Sequence, residues 1–439
     1  MLTPAPRSHA CSGRAAHRPA VTFSRRGLLT ACLPLWAAAP PATPFSEEQD
    51  RFLEGLSKRA FQFFWEQADA STGLVLDRSL ASGGPESRRA ASSAATGFGL
   101  TALCIAAERG WIARDQARAR ALAAHRYYAT VSAHEHGWFY HFVDAHSGSR
   151  QGKCEISSID TALLVAGMLT AAQYFAEDRE LLRLAGSVYD RMDWHWMLNG
   201  DPLLLSMGWH PETGFIEDRW NRFCELQILY FLAINSRTNP LPKTSWYAWR
   251  KPVVHYAKYT YIGGVGPLFV HQFSHAWMDF RNRRDHAGTH TRWFDNSLQA
   301  TLAHRQFCVD MHSKFPGYTE DIWGITASDS AHGYVAWGGP PAEGPIDGTV
   351  VPCAPGGSLM FAPQPCVQAL MAMKQRYGDR IWQRYGFVDA FNPTTGWTNA
   401  DVIGIDQGIT LLSAENARSG NVWKWFMSTA GFRGTLDAL

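Results

Sequence analysis

The feature that most constrains this chain is a succession of about a dozen helical hydrophobic patterns, set apart by long aromatic, Gly/Pro-rich connections. Ser46-Glu47-Glu48-Gln49 reads as a capping box. After it, Phe52, Leu53, Leu56, Ala60, Phe63 and Phe64 fall on one helical face. Residues 92–109 are small and apolar and stop at Gly110, and 113–133 alternate Arg with Ala. Ser157-Ser158-Ile159-Asp160 caps a strongly apolar helix that runs to about Phe175. Further helices are predicted near 178–197, 218–235, 267–281, 289–313, 363–376, 404–416 and 420–428. The connections 135–156, 198–217, 236–266, 315–362 and 386–403 are longer than loops usually are unless they carry function. No stretch repeats the alternation a sheet protein needs. The pattern predicts an all-α toroid of six inner and six outer helices with elaborate loops on one face; an irregular helical bundle is the plainer alternative. No Pro/Ser-rich linker interrupts the chain after residue 50, so 44–439 is expected to be a single domain.

The first 43 residues differ from this body. They carry Arg7, Arg14, Arg18, Arg25 and Arg26 and no acid. Thr22-Phe23-Ser24-Arg25-Arg26-Gly27-Leu28-Leu29 resembles a twin-arginine export signal, followed by a short apolar run to Ala39. Residues 1–43 are therefore expected to be a signal peptide and the mature protein periplasmic. Leu29-Thr30-Ala31-Cys32 also fits a lipoprotein box, but almost no apolar run separates it from Arg26. No later stretch approaches the ~18 apolar residues of a membrane span.

Hydrophobic residues at 46% and charged residues at 18% exclude a disordered chain. Without the leader, 36 basic residues face 39 acidic ones with no basic cluster, which argues against nucleic acid and anionic membrane as partners. The 18 tryptophans suggest flat, partly exposed rings of the kind sugars stack on, or else a large aromatic core. The six cysteines of the body form no CxxC pair and are expected to be mostly free, buried thiols.

Three acids stand out. Glu155 precedes a predicted helix start, where the free N–H groups and helix dipole favour its carboxylate; that suits a base or an acceptor for sugar hydroxyls. Asp160, in the first turn of that helix, reads first as a capping residue. Glu225 lies among Trp220, Phe223 and Tyr230 on a predicted helix, where desolvation would raise its pKa and suit a general acid; an ion pair with Arg222 would do the opposite. Asp406, between Gly404 and Gly408 at a loop-to-helix junction, fits a substrate loop or an N-cap. His271, His275 and Asp279 occur at i, i+4 and i+8 of one predicted face, beside Trp277 and Arg281. They could hold a metal, grip sugar hydroxyls or form a polar face in the core or cleft. The second position is Gln272, so the HExxH pattern is absent and no metal is expected. Nor is there a GxSxG elbow or a phosphate-binding glycine loop.

Taken together, Glu155 to Thr161, Met207-Gly208-Trp209 onward to Glu225, the 271–281 stretch, Trp323 to Asp329, Gly348 to Pro352, Gly404 to Gly408 and Glu415 to Gly420 resemble the bacterial family labelled putative glucoamylase, whose characterised members are β-1,2-glucanases. The resemblance spans about residues 50 to 430. It implies an (α/α)6 barrel and inverting hydrolysis of β-1,2-linked glucan without a cofactor. It places catalytic acids at Glu225, Glu155 and Asp406, with Glu225 as the acid and either of the others as base. The expected substrate-binding residues are Asp160, His271, His275, Trp277, Asp279, Arg281, Trp323, Asp329 and Gln407. A non-catalytic glycan-binding protein, a hydrolase of another glucan linkage and a metal-dependent hydrolase using the 271–279 residues are the alternatives.

Overall fold

A computed structural model describes residues 44–439 except 265, 342 and 343; the expected signal peptide over 1–43 lies outside the described residues. Its helices are α1 (Glu47–Glu66), α2 (Ser93–Glu108), α3 (Arg114–Thr130), α4 (Ser158–Tyr174), α5 (Arg179–Asp190), α6 (Trp194–Met197), α7 (Gln227–Asn235), α8 (Ser245–Ala248), α9 (Phe273–Trp277), α10 (Trp293–Asp310), α11 (Cys353–Gly357), α12 (Pro363–Tyr377), α13 (Gly404–Arg418), α14 (Asn421–Phe426) and α15 (Phe432–Asp437).

Burial sorts them into two layers. α2, α4, α7 and α13 are buried on all sides over most of their length, which their Ala-, Gly- and Leu-rich sequences permit. α1, α3, α5, α10 and α12 bury one face and turn a polar one to water. The inner helices close a circuit: α2 packs on α4, α4 on α7, α7 on α9, and α13 returns from α11 to α2. A 3-10 turn at Leu268–His271 joins α9 to α11. The fold is the all-α toroid the patterning predicts. The contact between α2 and α4 depends on glycine: a Cβ on Gly167 of α4 would lie 2.0 Å from the Gly97 carbonyl oxygen of α2.

The expected helices over 178–197, 218–235 and 267–281 are each shorter or broken. The long connections carry short antiparallel ladders, and three of these run straight into inner helices. Arg78–Leu80 pairs with Asp401–Ile403 ahead of α13, and Ala90–Ser92 pairs with Phe142–Asp144 ahead of α2. Ile156–Ser157 pairs with Gly208–His210 ahead of α4. Ser92 and Ser157 then cap their helices, accepting hydrogen bonds from the N–H groups of Ala95 and Asp160. The ladders thus fix what stands at the N-terminal mouth of the inner ring. The six cysteines among the described residues are free thiols; Cys104, Cys308, Cys353 and Cys366 are buried, and Cys154 and Cys224 half-buried. No helix among the described residues is long and apolar enough to cross a membrane.

Candidate active site

A cavity of about 550 Å³ opens at that mouth, within the ~300–1,000 Å³ usual for small-molecule sites. Glu225, Glu155, Asp160 and His141 line it, with Asp77, Arg78, Trp220, Phe269, Phe273 and Tyr334.

Glu225 sits in the turn just before α7 rather than on the helix expected there. The shorter helix has a physical reason: the Phe223 N–H bonds to the Arg250 carbonyl, and Ser274 Oγ donates to the Glu225 carbonyl at 2.7 Å while accepting from Ile228 N. These contacts hold an irregular turn that aims the carboxyl into the cavity. Burial pushes its pKa up to about 7, the nearby charge of Asp160 adding to the shift. Among the described residues no ion pair joins it to Arg222.

Across the cavity the opposite condition holds. His141 Nδ1 lies 2.9 Å from Glu155 Oε1 and its Nε2 3.5 Å from Asp160 Oδ1. Burial alone would lower the imidazole pKa, but the Asp160 and Glu155 carboxylates override it and raise it to about 9. At neutral pH an imidazolium therefore bridges the two acids. Its hydrogen bond holds Glu155 below the usual carboxylate range. Ser157 Oγ donates to the second oxygen of Asp160 at 2.5 Å. The donor atoms of these three residues come within 4.8 Å of one another, as a metal site would require. Both imidazole nitrogens face carboxylates, however, and in the imidazolium both carry protons, so neither offers a lone pair to a metal.

Asp406 lies in the first turn of α13, buried, in a second, small cavity with Asp389, Cys353 and Gln407. Burial raises its pKa to about 6, while hydrogen bonds from Asp389 and the Cys353 thiol limit the rise. Burial and the charge of Asp406 push Asp389 well above the carboxylate range, so Asp389 carries the shared proton. Gln407 Nε2 donates to the Phe387 carbonyl beside this pair.

The other expected contacts divide. Asp329 stands close by, its carboxylate accepting from Arg78 Nη1 at 2.8 Å and Asn399 Nδ2 at 2.9 Å. His271, His275, Trp277 and Trp323 do not reach the cavity; they are core residues with at most 2% exposure. Burial takes His275 down to about 3 and His271 well below its ordinary value, so both are neutral. The reason is the break after His271 and again after Trp277, which turns the segment inward. Asp279 and Arg281 lie beyond the second break, paired at 2.9 Å in a separate surface depression beside Trp423. The tryptophans are mostly core, and only Trp220 lines the main cavity. Sequence reasoning missed His141, Asp77, Arg78, Asp389 and Tyr334. The one available signal was coarse: His141, Tyr334 and Asp389 lie in three of the overlong connections.

Comparison with known proteins agrees with this architecture. A family model described as "Putative glucoamylase" matches residues 217–430. The chain is 26% identical to an exo β-1,2-glucooligosaccharide sophorohydrolase of Parabacteroides distasonis over 88% of its own length, and spans 57% of that relative. It is similar to the structure of an endo-β-1,2-glucanase from Chitinophaga pinensis in complex with sophorotriose and glucose: TM-score 0.82, 27% identity, 89% of this chain and 98% of that one. A structure from Bacteroides uniformis, described as a putative glucoamylase, gives a TM-score of 0.81 at 28% identity, over 91% of this chain and 98% of that one. The segment 217–430 matched by that family model includes Glu225 and Asp406, and the described chain is similar in fold to the endo-β-1,2-glucanase from Chitinophaga pinensis.

Proposed function

We propose that this chain is a glycoside hydrolase that cleaves β-1,2-linked glucan or gluco-oligosaccharides with inversion at the anomeric carbon. The observation that carries the reading is the Glu225 carboxyl, which faces the cavity and holds its proton up to about pH 7. The activities of the β-1,2-glucan-cleaving relatives support the choice of linkage.

Glu225 donates its proton to the glycosidic oxygen as the bond to the anomeric carbon breaks, and water adds from the opposite face of the sugar ring. Asp406 takes the proton of that water. A base works best when its pKa lies near the working pH, and Asp406 at about 6 meets that condition. Glu155 does not, because the His141 imidazolium holds its carboxylate low and makes it a weak base. Glu155, Asp160 and His141 instead present a rigid set of charged groups to the sugar hydroxyls. Ile403 and Ile405, either side of the α13 start, line the main cavity, and Asp406 follows Ile405 directly in the chain. Water or a sugar hydroxyl bridges the remaining gap.

The test is a panel of linear and cyclic glucans of defined linkage, digested by wild type, Glu225→Gln, Asp406→Asn and Glu155→Gln. The β-1,2 series is expected to be cleaved, and turnover to vanish in the first two variants. Azide is expected to restore turnover in Asp406→Asn only. Restoration in Glu155→Gln instead moves the base to Glu155. Binding without cleavage of any glucan makes the protein a glycan-binding module.

A further inference from the structure

The reading above gives work to Glu225, the His141 cluster and the acid pair, but none to Tyr334. Among the described residues the exposed large hydrophobic side chains are Leu80, Val131, Val253 and Tyr334, and of these only Tyr334 lines the main cavity. It is 54% exposed. Leaving an aromatic ring in water forgoes the stabilisation of burying it, so a ring kept on a concave wall among charged groups points to a ligand.

The ring is also held in place. It stands on a hairpin in which Ser328–Ser330 pairs with Gly333–Val335, and Tyr334 is directly opposite Asp329. Gly333, at φ 111°, supplies the backbone conformation needed just before it. The opposite strand is pinned: the Asp329 N–H donates to Asp389 Oδ2 at 2.8 Å and its carboxylate takes Arg78 and Asn399. Trp337 Nε1 donates to Ser328 Oγ at 2.9 Å. The hairpin is therefore tied to the acid pair itself, and the Tyr334 hydroxyl lies within the field of Asp406, Asp389 and Asp77. With only two side-chain torsions, tyrosine loses little entropy when a ligand covers it.

We infer that Tyr334 is a substrate-contacting residue of this cleft, its ring stacking on the apolar C–H face of one glucosyl unit and closing the side of the cavity that leads to Asp389 and Asp406. This rests on the proposed glycan-cleaving function. A sugar ring presents hydroxyls around its edge and C–H groups on its faces. The Arg78, Asp77 and Asp160 groups suit the edge, and only an aromatic plane suits the face. Tyr334 shares the cavity wall with Glu225 and lies in the field of the acid pair, so a sugar stacked there is held near both.

The experiment is calorimetric titration of linear β-1,2-gluco-oligosaccharides of two to six units into Glu225→Gln protein, alone and combined with Tyr334→Ala, Tyr334→Phe or Tyr334→Trp. Binding is expected to weaken roughly tenfold with Ala and to stay within about twofold with Phe and Trp. Equal binding with Ala overturns the inference, and so does a Phe variant as weak as Ala, which puts the contact on the hydroxyl. Phe and Trp keep an aromatic ring on the exposed site, so the comparison survives if the Ala variant fails to fold. The proposed function fails separately, when wild type cleaves no β-1,2 substrate. If a glucan of another linkage binds instead, the same variants read out Tyr334 on that glucan, and binding of no glucan overturns the Tyr334 assignment as well.

Discussion

Glu225 and Glu155 face the same cavity and carry the same functional group, yet they are driven in opposite directions. Glu225 is set in an irregular turn among Trp220 and Phe223 with no cation to pair with, and burial raises it to about 7. Glu155 ends a short loop beside His141, and that hydrogen bond lowers it. The difference teaches that burial raises a carboxyl unless a cationic partner offsets it, and that this balance decides which one can hold a proton at neutral pH. Both stand near inner-helix N-termini, where the dipole favours the carboxylate. At Glu225 desolvation outweighs that preference; at Glu155 the imidazolium reinforces it.

The sharpest way to break the contrast is to remove the proton from one side. Glu225→Gln is expected to lower turnover of β-1,2-glucan by ~10²–10⁴-fold or more, the range of a lost general acid. An aryl glycoside with a good leaving group is spared by comparison, because its departure needs little protonation. Equal losses on both substrates would show that Glu225 acts in some other way.

Removing the imidazolium attacks the other side. His141→Gln leaves Glu155 and Asp160 facing each other without a cation, so the Glu155 pKa rises and the hydroxyl-binding array loosens. We expect KM to rise about tenfold with a smaller change in kcat. A change in kcat alone would move His141 from binding into the chemistry.

The pH profile reads both regions together. Activity requires Asp406 ionised, above about 6, and Glu225 protonated, below about 7, which predicts a narrow bell in kcat/KM centred between them. Asp406→Asn should lose the acidic limb of whatever activity remains.

Stability gives the smallest effect and the clearest sign. Glu225 titrates higher folded than its ordinary value of 4.5, so its contribution is full below that value and is lost as pH rises through about 7. Glu225→Gln should therefore raise Tm relative to wild type at pH 8 and not at pH 4.5. His141 also titrates higher when folded. Its contribution is full below 6.5 and is lost as pH rises through about 9, so His141→Gln should destabilise at pH 6 and have little effect above pH 10.

The sequence made the helical layers legible because α2, α4 and α13 are apolar on every side while α1 and α5 are apolar on one. The raised acid at Glu225 was legible too, because its aromatic neighbours are adjacent in the chain. His141 could not be read the same way: it meets Glu155 from 14 residues away, through the pairing of two loops. Asp389 meets Asp406 by a similar return of the chain. Periodicity misled at His271 and His275. The spacing i, i+4 says which residues share a helical face, not what the face meets, and here a 3-10 turn and a break direct both into the core.

The central claim is inverting hydrolysis by a protonated Glu225 across from an ionised base. It is tested most directly by proton NMR of a linear β-1,2-gluco-oligosaccharide incubated with the wild-type protein. The first-formed reducing end is predicted to be the α-anomer, appearing before mutarotation and absent with Glu225→Gln. A β-anomer formed first, or cleavage that persists in Glu225→Gln, would contradict the account.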